Sequence, residues 1–214
     1  MQHRHLTKNL FEVGERTFNP DTKSTIFISY RRTHCDSYMA RECAEILEDI
    51  NGLHYWLDED DKCMQNAQAK NDDIKTAHCI EEGLDVSSAL LGIIGPGTFD
   101  SPWIPYEIGG ARGRQRYEKP FNLQPSSPHP LIAHLIHEVD IRKVPAFVSL
   151  GIPLNSLDEV KKWTQSIADI LEKKHRGVPL YETKSIQYQY GIQDIYEKNS
   201  RLLKPTPCYG TRQT

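Results

Sequence analysis

Thr25-Ile-Phe-Ile-Ser-Tyr30 and Ala89-Leu-Leu-Gly-Ile-Ile94 are the two stretches whose reading decides the fold. The first is short, β-branched and aromatic, and Arg31-Arg32-Thr33 stops it abruptly, which is the pattern of a buried strand. The second is almost continuously apolar up to Gly95-Pro96-Gly97, as expected of a strand in a parallel sheet covered by helices on both faces. Between them, Asp36 or Ser37 can cap a helix in which Met39, Cys43, Ile46, Leu47 and Ile50 recur at three- and four-residue intervals up to Asn51-Gly52. A second strand, His54 to Leu57, runs into the acidic stretch Asp58-Glu59-Asp60-Asp61 and a polar loop reaching Asn71; long loops of this kind are often functional. Ile74 to Ser88 reads as a helix weakened by Gly83.

Beyond the third strand, Ser101-Pro102 opens a helix with Ile104, Ile108 and Ala111 at helical spacing, and Pro105 confines the start to its own neighbourhood because proline fits only the first turn. The prolines at 120, 125, 128 and 130 make residues 119–130 a connector. Leu131 to Ile136 and Val144 to Leu150 are the remaining strand candidates, with Phe121 to Leu123 a rival for the first. Leu157 to Lys174 is an amphipathic helix with Val160, Trp163, Ile167, Ile170 and Leu171 on one stripe. The alternation of strands and helices predicts an α/β fold with a parallel sheet flanked by helices, whose ligands gather at the carboxyl ends of the strands.

Composition narrows the possible partners. With 26 basic against 29 acidic residues and a net charge of -3, the chain has no global positive field for nucleic acid or anionic lipid. No apolar run approaches the roughly 20 residues that span a bilayer, and Met1 to Pro20 lacks the apolar core of a secretory signal, so a cytoplasmic location is expected. The five cysteines, Cys35, Cys43, Cys63, Cys79 and Cys208, are odd in number and never spaced as CxxC, and are therefore expected as reduced thiols. At about 150 residues per domain, 214 residues predict one core with arms. The boundaries fall at an amino-terminal arm 1–23, a core 24–174 and a tyrosine-bearing extension 175–214, in which Gln193 to Leu203 is a candidate docked helix.

The first test for chemistry is a glycine-rich phosphate loop, and neither GxGxxG nor GxxxxGK[ST] follows the first strand. Tyr30, Arg31 and Arg32 can replace it, since guanidinium forks hold phosphate oxygens and a tyrosine ring packs on a base or ribose. A solvated arginine pair facing acidic helices is the plainer alternative. Trp103-Ile-Pro-Tyr-Glu107 places an indole and a carboxylate four apart on one helical face, where they can share a cleft wall. The alternative there is a core tryptophan and a glutamate complementing the helix dipole. His134 and His137 do not aim together from a strand, Asp58 to Asp61 lacks the glycine and distal glutamate of a calcium loop, and Cys79 diverges from His78 on a helix, so none of these reads as a metal site or thiol nucleophile.

Four segments in order, Thr25-Ile-Phe-Ile-Ser-Tyr-Arg-Arg32, Tyr55-Trp-Leu-Asp58, Ser87-Ser-Ala-Leu-Leu-Gly-Ile-Ile-Gly-Pro96 and Ser101-Pro-Trp-Ile-Pro-Tyr-Glu107, together resemble a TIR (Toll/interleukin-1 receptor homology) domain over about residues 24–174. The resemblance implies a flavodoxin-like fold with five parallel strands. It also implies one of two activities: assembly with other TIR domains, or cleavage of NAD+ between nicotinamide and ribose. In the enzymatic branch the glutamate of the Trp-x-x-x-Glu segment is catalytic, which carries over to Glu107, with Trp103 as its tryptophan. The strand end contributes contacts in that branch, which carries over to Ser29, Tyr30, Arg31 and Arg32, and Asp58 matches the start of the mobile loop beside the site. Residues 62–71 depart from that loop's glycine-containing pattern.

The implied function is therefore that of an NAD+ nucleosidase or cyclase giving ADP-ribose or a cyclic ADP-ribose isomer, with NAD+ as substrate and no cofactor or metal. Self-association through the TIR domain is implied as well. The 214 residues carry no receptor, death or leucine-rich segment, for which the resemblance points to a stand-alone prokaryotic protein in antiphage defence, its product read by a separate effector. Two other functions remain open: a non-catalytic TIR interaction module, and a nucleoside deoxyribosyltransferase-like enzyme acting on free nucleosides.

Overall fold

The computed structural model describes residues 24–117, 129–139 and 144–175. Five strands, β1 (Ser24–Ser29), β2 (Leu53–Trp56), β3 (Ser87–Ile94), β4 (Ile132–Ile136) and β5 (Ile152–Leu154), form one sheet in the order β2-β1-β3-β4-β5. All four pairings are parallel. Five helices connect or follow them: α1 (His34–Glu48), α2 (Lys62–Ala69), α3 (Asp73–Val86), α4 (Trp103–Tyr117) and α5 (Leu157–His175). This is the α/β fold with a helix-flanked parallel sheet that the alternation predicts, and its five-stranded flavodoxin-like order is the one the resemblance implies. The arm 1–23, the rival strand Phe121 to Leu123 and the extension from residue 176 onward, including the helix expected near Gln193 to Leu203, lie outside the described residues.

Alternation along the strands divides the core into two layers. Ile26, Ile28, Leu91, Ile93, Ala133 and Leu135 face α1 and α5, where Leu47, Trp163 and Ile167 are fully buried. Phe27, Leu90, Ile94, Ile132 and Ile136 face α2, α3 and α4 through Met64, Ile80, Leu84, Ile104 and Ile108. Because neighbouring residues of one strand serve opposite layers, β1 and β3 read as unbroken apolar runs.

Helix boundaries follow local chemistry. α1 is capped by Thr33, whose hydroxyl accepts from the Asp36 amide; Asp36 lies inside the first turn and is not the cap expected from sequence. α4 starts at Trp103 with Pro105 in its first turn, where the missing amide hydrogen has no helical partner to lose.

Three other expectations need correction. The polar loop expected over residues 58–71 contains α2, which begins where the Asp61 carboxylate accepts from the Met64 amide at 2.8 Å. Val144 to Leu150 is not a strand: Pro145 sets the backbone for a 3-10 turn over Ala146–Leu150, and the strand follows at Ile152–Leu154. That strand contains Pro153 and lies at the sheet edge, where a missing amide hydrogen is tolerated. Finally, Cys63 and Cys79 are not separate thiols but are joined in a disulfide that ties α2 to α3. Of the other cysteines among the described residues, Cys35 is free and exposed and Cys43 free and buried.

Among the described residues no helix is long and apolar enough to cross a membrane.

Candidate functional site

In a sheet ordered 2-1-3-4-5 the connections leave β1 and β3 toward opposite faces, which opens a crevice at their carboxyl ends. Ser29 is the last residue of β1, and its side chain points to the face covered by α4. There its hydroxyl donates to Glu107 Oε2 at 2.5 Å, joining residues 78 apart in sequence. Glu107 is 8% exposed and lies one turn into α4, between the buried Ile104 and Ile108. The apolar stripe that docks α4 on the sheet thus carries the carboxylate down to the strand end.

Electrostatics single out this carboxyl. Burial pushes it up to about 7; the Ser29 hydrogen bond favours the charged form and offsets part of that rise, and repulsion from Asp58 adds to it. Asp58, just beyond β2, is itself raised by burial, against the stabilising influence of Tyr30 and Arg32. Two carboxyl groups that sense each other are thus both tied to the carboxyl end of β1.

The flanking residues turn outward in two directions. Arg31 donates to the Gly97 carbonyl at 2.7 Å and to Asp100 at 3.2 Å, fastening the 3-10 turn Pro96–Asp100. Arg32 turns the other way, donating to Asp58 at 2.8 Å and to Gln68 of α2. The Tyr30 ring is buried, and its hydroxyl lies beside the carboxylates of Asp58 and Glu59 without closing a hydrogen bond of standard geometry. Burial first, then those carboxylates, push the phenol well above its ordinary range. The arginine pair expected as a unit is therefore split, each member held by an internal acid. Trp103 is half-buried at the start of α4 and meets Tyr106 edge-on, ring centroids 6.1 Å apart.

The acidic stretch Asp58 to Asp61 is held by side-chain and backbone partners. Arg41 of α1 grips Asp60 at 2.7 and 2.8 Å and Glu59 at 3.0 Å, Tyr55 donates to Asp60 at 3.3 Å, and Asp61 is buried as the cap of α2. Every acid of the stretch thus has a structural partner near the site.

Two groups at the same sheet edge were not foreseen in these roles. Asp36 in the first turn of α1 is fully buried and meets His137 Nε2 at 2.8 Å, and its other oxygen has no partner. Gly95 packs directly on this pair, so that a Cβ there would collide with the Asp36 carboxylate and lie 2.7 Å from the His137 ring. His134 occupies the sheet row that runs Ser29, Gly92, His134. It is fully buried with neither ring nitrogen bonded, and burial pushes it down to about 3. The two histidines thus stand in different environments. An acid at the expected start of a helix was the available signal for Asp36; nothing local marks its partner 101 residues away.

No protein-family model matches the chain, and no curated protein matches it.

Proposed function

We propose that the protein is a TIR-type enzyme that cleaves the nicotinamide–ribose bond of NAD+, yielding ADP-ribose or a cyclic ADP-ribose isomer that acts as a signal in antiviral defence. The observation that carries this reading is the Glu107 carboxyl, buried at the carboxyl end of β1, bonded to Ser29 and poised near neutrality. In the cleavage the bond from the anomeric carbon to the ring nitrogen breaks with its electron pair moving to the nitrogen. Nicotinamide then leaves neutral and needs no general acid, unlike the leaving group of ordinary glycoside hydrolysis. What the reaction needs is a negative group beside the ribosyl cation, placed in advance in a site of low dielectric. Glu107 supplies it, and the approaching pyridinium charge favours its ionised form. Trp103 shields the ribose from water. Arg31 and Arg32 bind the pyrophosphate through donors left over from Asp100 and Asp58, since each guanidinium carries five. Tyr30 and Asp58 shape the adjoining wall. NAD+ is substrate, with no separate cofactor, and self-association through the TIR domain and a separate effector of the product complete the proposal.

The test is mass spectrometry of NAD+ incubated with the purified chain. Released nicotinamide with ADP-ribose or a cyclic isomer is expected, and Glu107→Gln is expected to abolish it while the protein stays folded. Turnover undiminished in that variant would sink the assignment. The internal pairing of both arginines favours a second reading, a TIR module that only assembles, which leaves NAD+ intact at any protein concentration and keeps its partners in Glu107→Gln. Free nucleosides in the same assay detect a nucleoside deoxyribosyltransferase-like activity.

A further inference from the structure

Cys63, near the start of α2, and Cys79, in the middle of α3, have Cα atoms 5.9 Å apart. The carboxylate of Asp61 joins them, so that one oxygen and the two sulfurs all lie within 4.8 Å of one another. Cys79 and Asp61 are buried and Cys63 is half-buried. One Asp61 oxygen is accounted for by the Met64 amide it caps, and a carboxylate has a second. Three donors on two helices that pack on each other thus converge on one point.

From this geometry we propose that Asp61, Cys63 and Cys79 are a metal site for a thiophilic divalent cation of the zinc class, and that the disulfide is the oxidised, metal-free form of the same centre. Zinc takes sulfur at about 2.3 Å and carboxylate oxygen at about 2.0–2.2 Å in a tetrahedron, so its donors stand roughly 3.5–4 Å apart. The sulfurs must separate from bonding contact to that spacing, and the Asp61 oxygen, within 4.8 Å of both, must close by at most about 1 Å. Two thiolates select against magnesium and calcium, which prefer oxygen. Three protein ligands leave the fourth position to water.

The two forms interconvert with a balanced exchange. Binding to the dithiol expels two thiol protons as the cation enters. On oxidation, one thiolate attacks a low-molecular-weight disulfide of the glutathione class and expels one small thiolate, the second protein thiolate attacks the resulting mixed disulfide and expels the other, and the cation departs. Two electrons pass from the protein sulfurs to the oxidant, which leaves as two thiolates. Because α2 also carries Gln68, the partner of Arg32, the centre lies in the element that borders the crevice. The inference does not depend on the proposed NAD+ cleavage.

The probe is Co2+ titrated into the full chain after anaerobic reduction with a phosphine. One equivalent should produce near-ultraviolet thiolate-to-cobalt charge-transfer absorption with visible bands of tetrahedral cobalt, and Zn2+ should displace it. Glutathione disulfide should abolish the absorption, release the ion and leave a Cys63–Cys79 cross-link in non-reducing peptide maps. Cys63→Ser and Cys79→Ser should each lose most of the charge-transfer intensity. Asp61→Asn, which keeps a competent helix cap, should weaken binding by about tenfold or more, since even outer-shell changes act on that scale. The proposal is overturned if reduced protein, shown to carry two more titratable thiols than the oxidised form, gives no charge transfer in excess Co2+. It is equally overturned if the band survives in the Cys63→Ser, Cys79→Ser double variant, or if Asp61→Asn binds as tightly as the parent.

Discussion

At position 107 function and stability pull against each other. A carboxyl raised from 4.5 to about 7 by burial keeps its proton in the folded chain over a range where the unfolded chain has released it. Its contribution to stability is therefore full below about pH 4.5, declines as pH rises, and is gone above about 7, a swing of about 3 kcal/mol. Glu107→Gln should leave denaturant stability near pH 4.5 almost unchanged and raise it above pH 7 by an amount approaching that swing, read from urea midpoints across pH. If the proposed chemistry requires the anion, kcat/KM for NAD+ should climb through pH 7 with a slope of one proton. Ser29→Ala removes the hydroxyl that favours the charged form, so the same limb should move to higher pH by about one unit. A limb that stays in place would separate Ser29 from the reacting carboxyl.

Among the elements, α3 shows how packing overrides propensity. Gly83 weakens the helix by sequence rules, yet a Cβ there would stand 2.5 Å from the Trp56 ring, which is buried and stacked on Phe27 with centroids 4.4 Å apart. Gly83→Ala should therefore destabilise the protein by about 1–3 kcal/mol in spite of the roughly 1 kcal/mol that alanine adds to a helix, as thermal or urea unfolding would measure. A stabilised variant would mean that the ring shifts without cost. Strands β1 and β3 and helix α5 were legible because each carries an uninterrupted pattern of its own. α2 was not: eight residues with a mostly polar surface announce no periodicity, and its existence rests on the Asp61 cap and on Met64 and Ala67 packing beneath it. The Val144 to Leu150 run misleads for the opposite reason, being apolar enough for a strand while Pro145 directs the backbone into a turn.

For the whole molecule, acid is the condition that tests the sheet. His134 is held neutral by burial, pushed from 6.5 down to about 3, so the unfolded chain takes up a proton that the folded chain refuses. Stability from this group is full above about pH 6.5 and is lost as pH falls toward 3, on the order of 5 kcal/mol, the opposite sense to Glu107. His134→Leu should flatten this acid limb in pH-dependent urea unfolding; an unchanged limb would assign acid lability to other groups. Trp163 closes the other face, fully buried and donating to the Pro130 carbonyl at 2.9 Å, and Trp163→Ala should cost about 3–5 kcal/mol in the same measurement. The sequence by itself determined the alternation of strands and helices, the faces that meet in the core, and the residue types that can carry chemistry, because hydrophobic period and capping are written within ten or fifteen neighbouring positions. Only the tertiary structure decided that Ser29 bonds Glu107, that Arg31 and Arg32 part company, that Asp36 finds His137 and that Cys63 reaches Cys79. Those contacts join residues 16 to 101 positions apart, and a chain brings such groups together only when the packing of whole elements sets their distance.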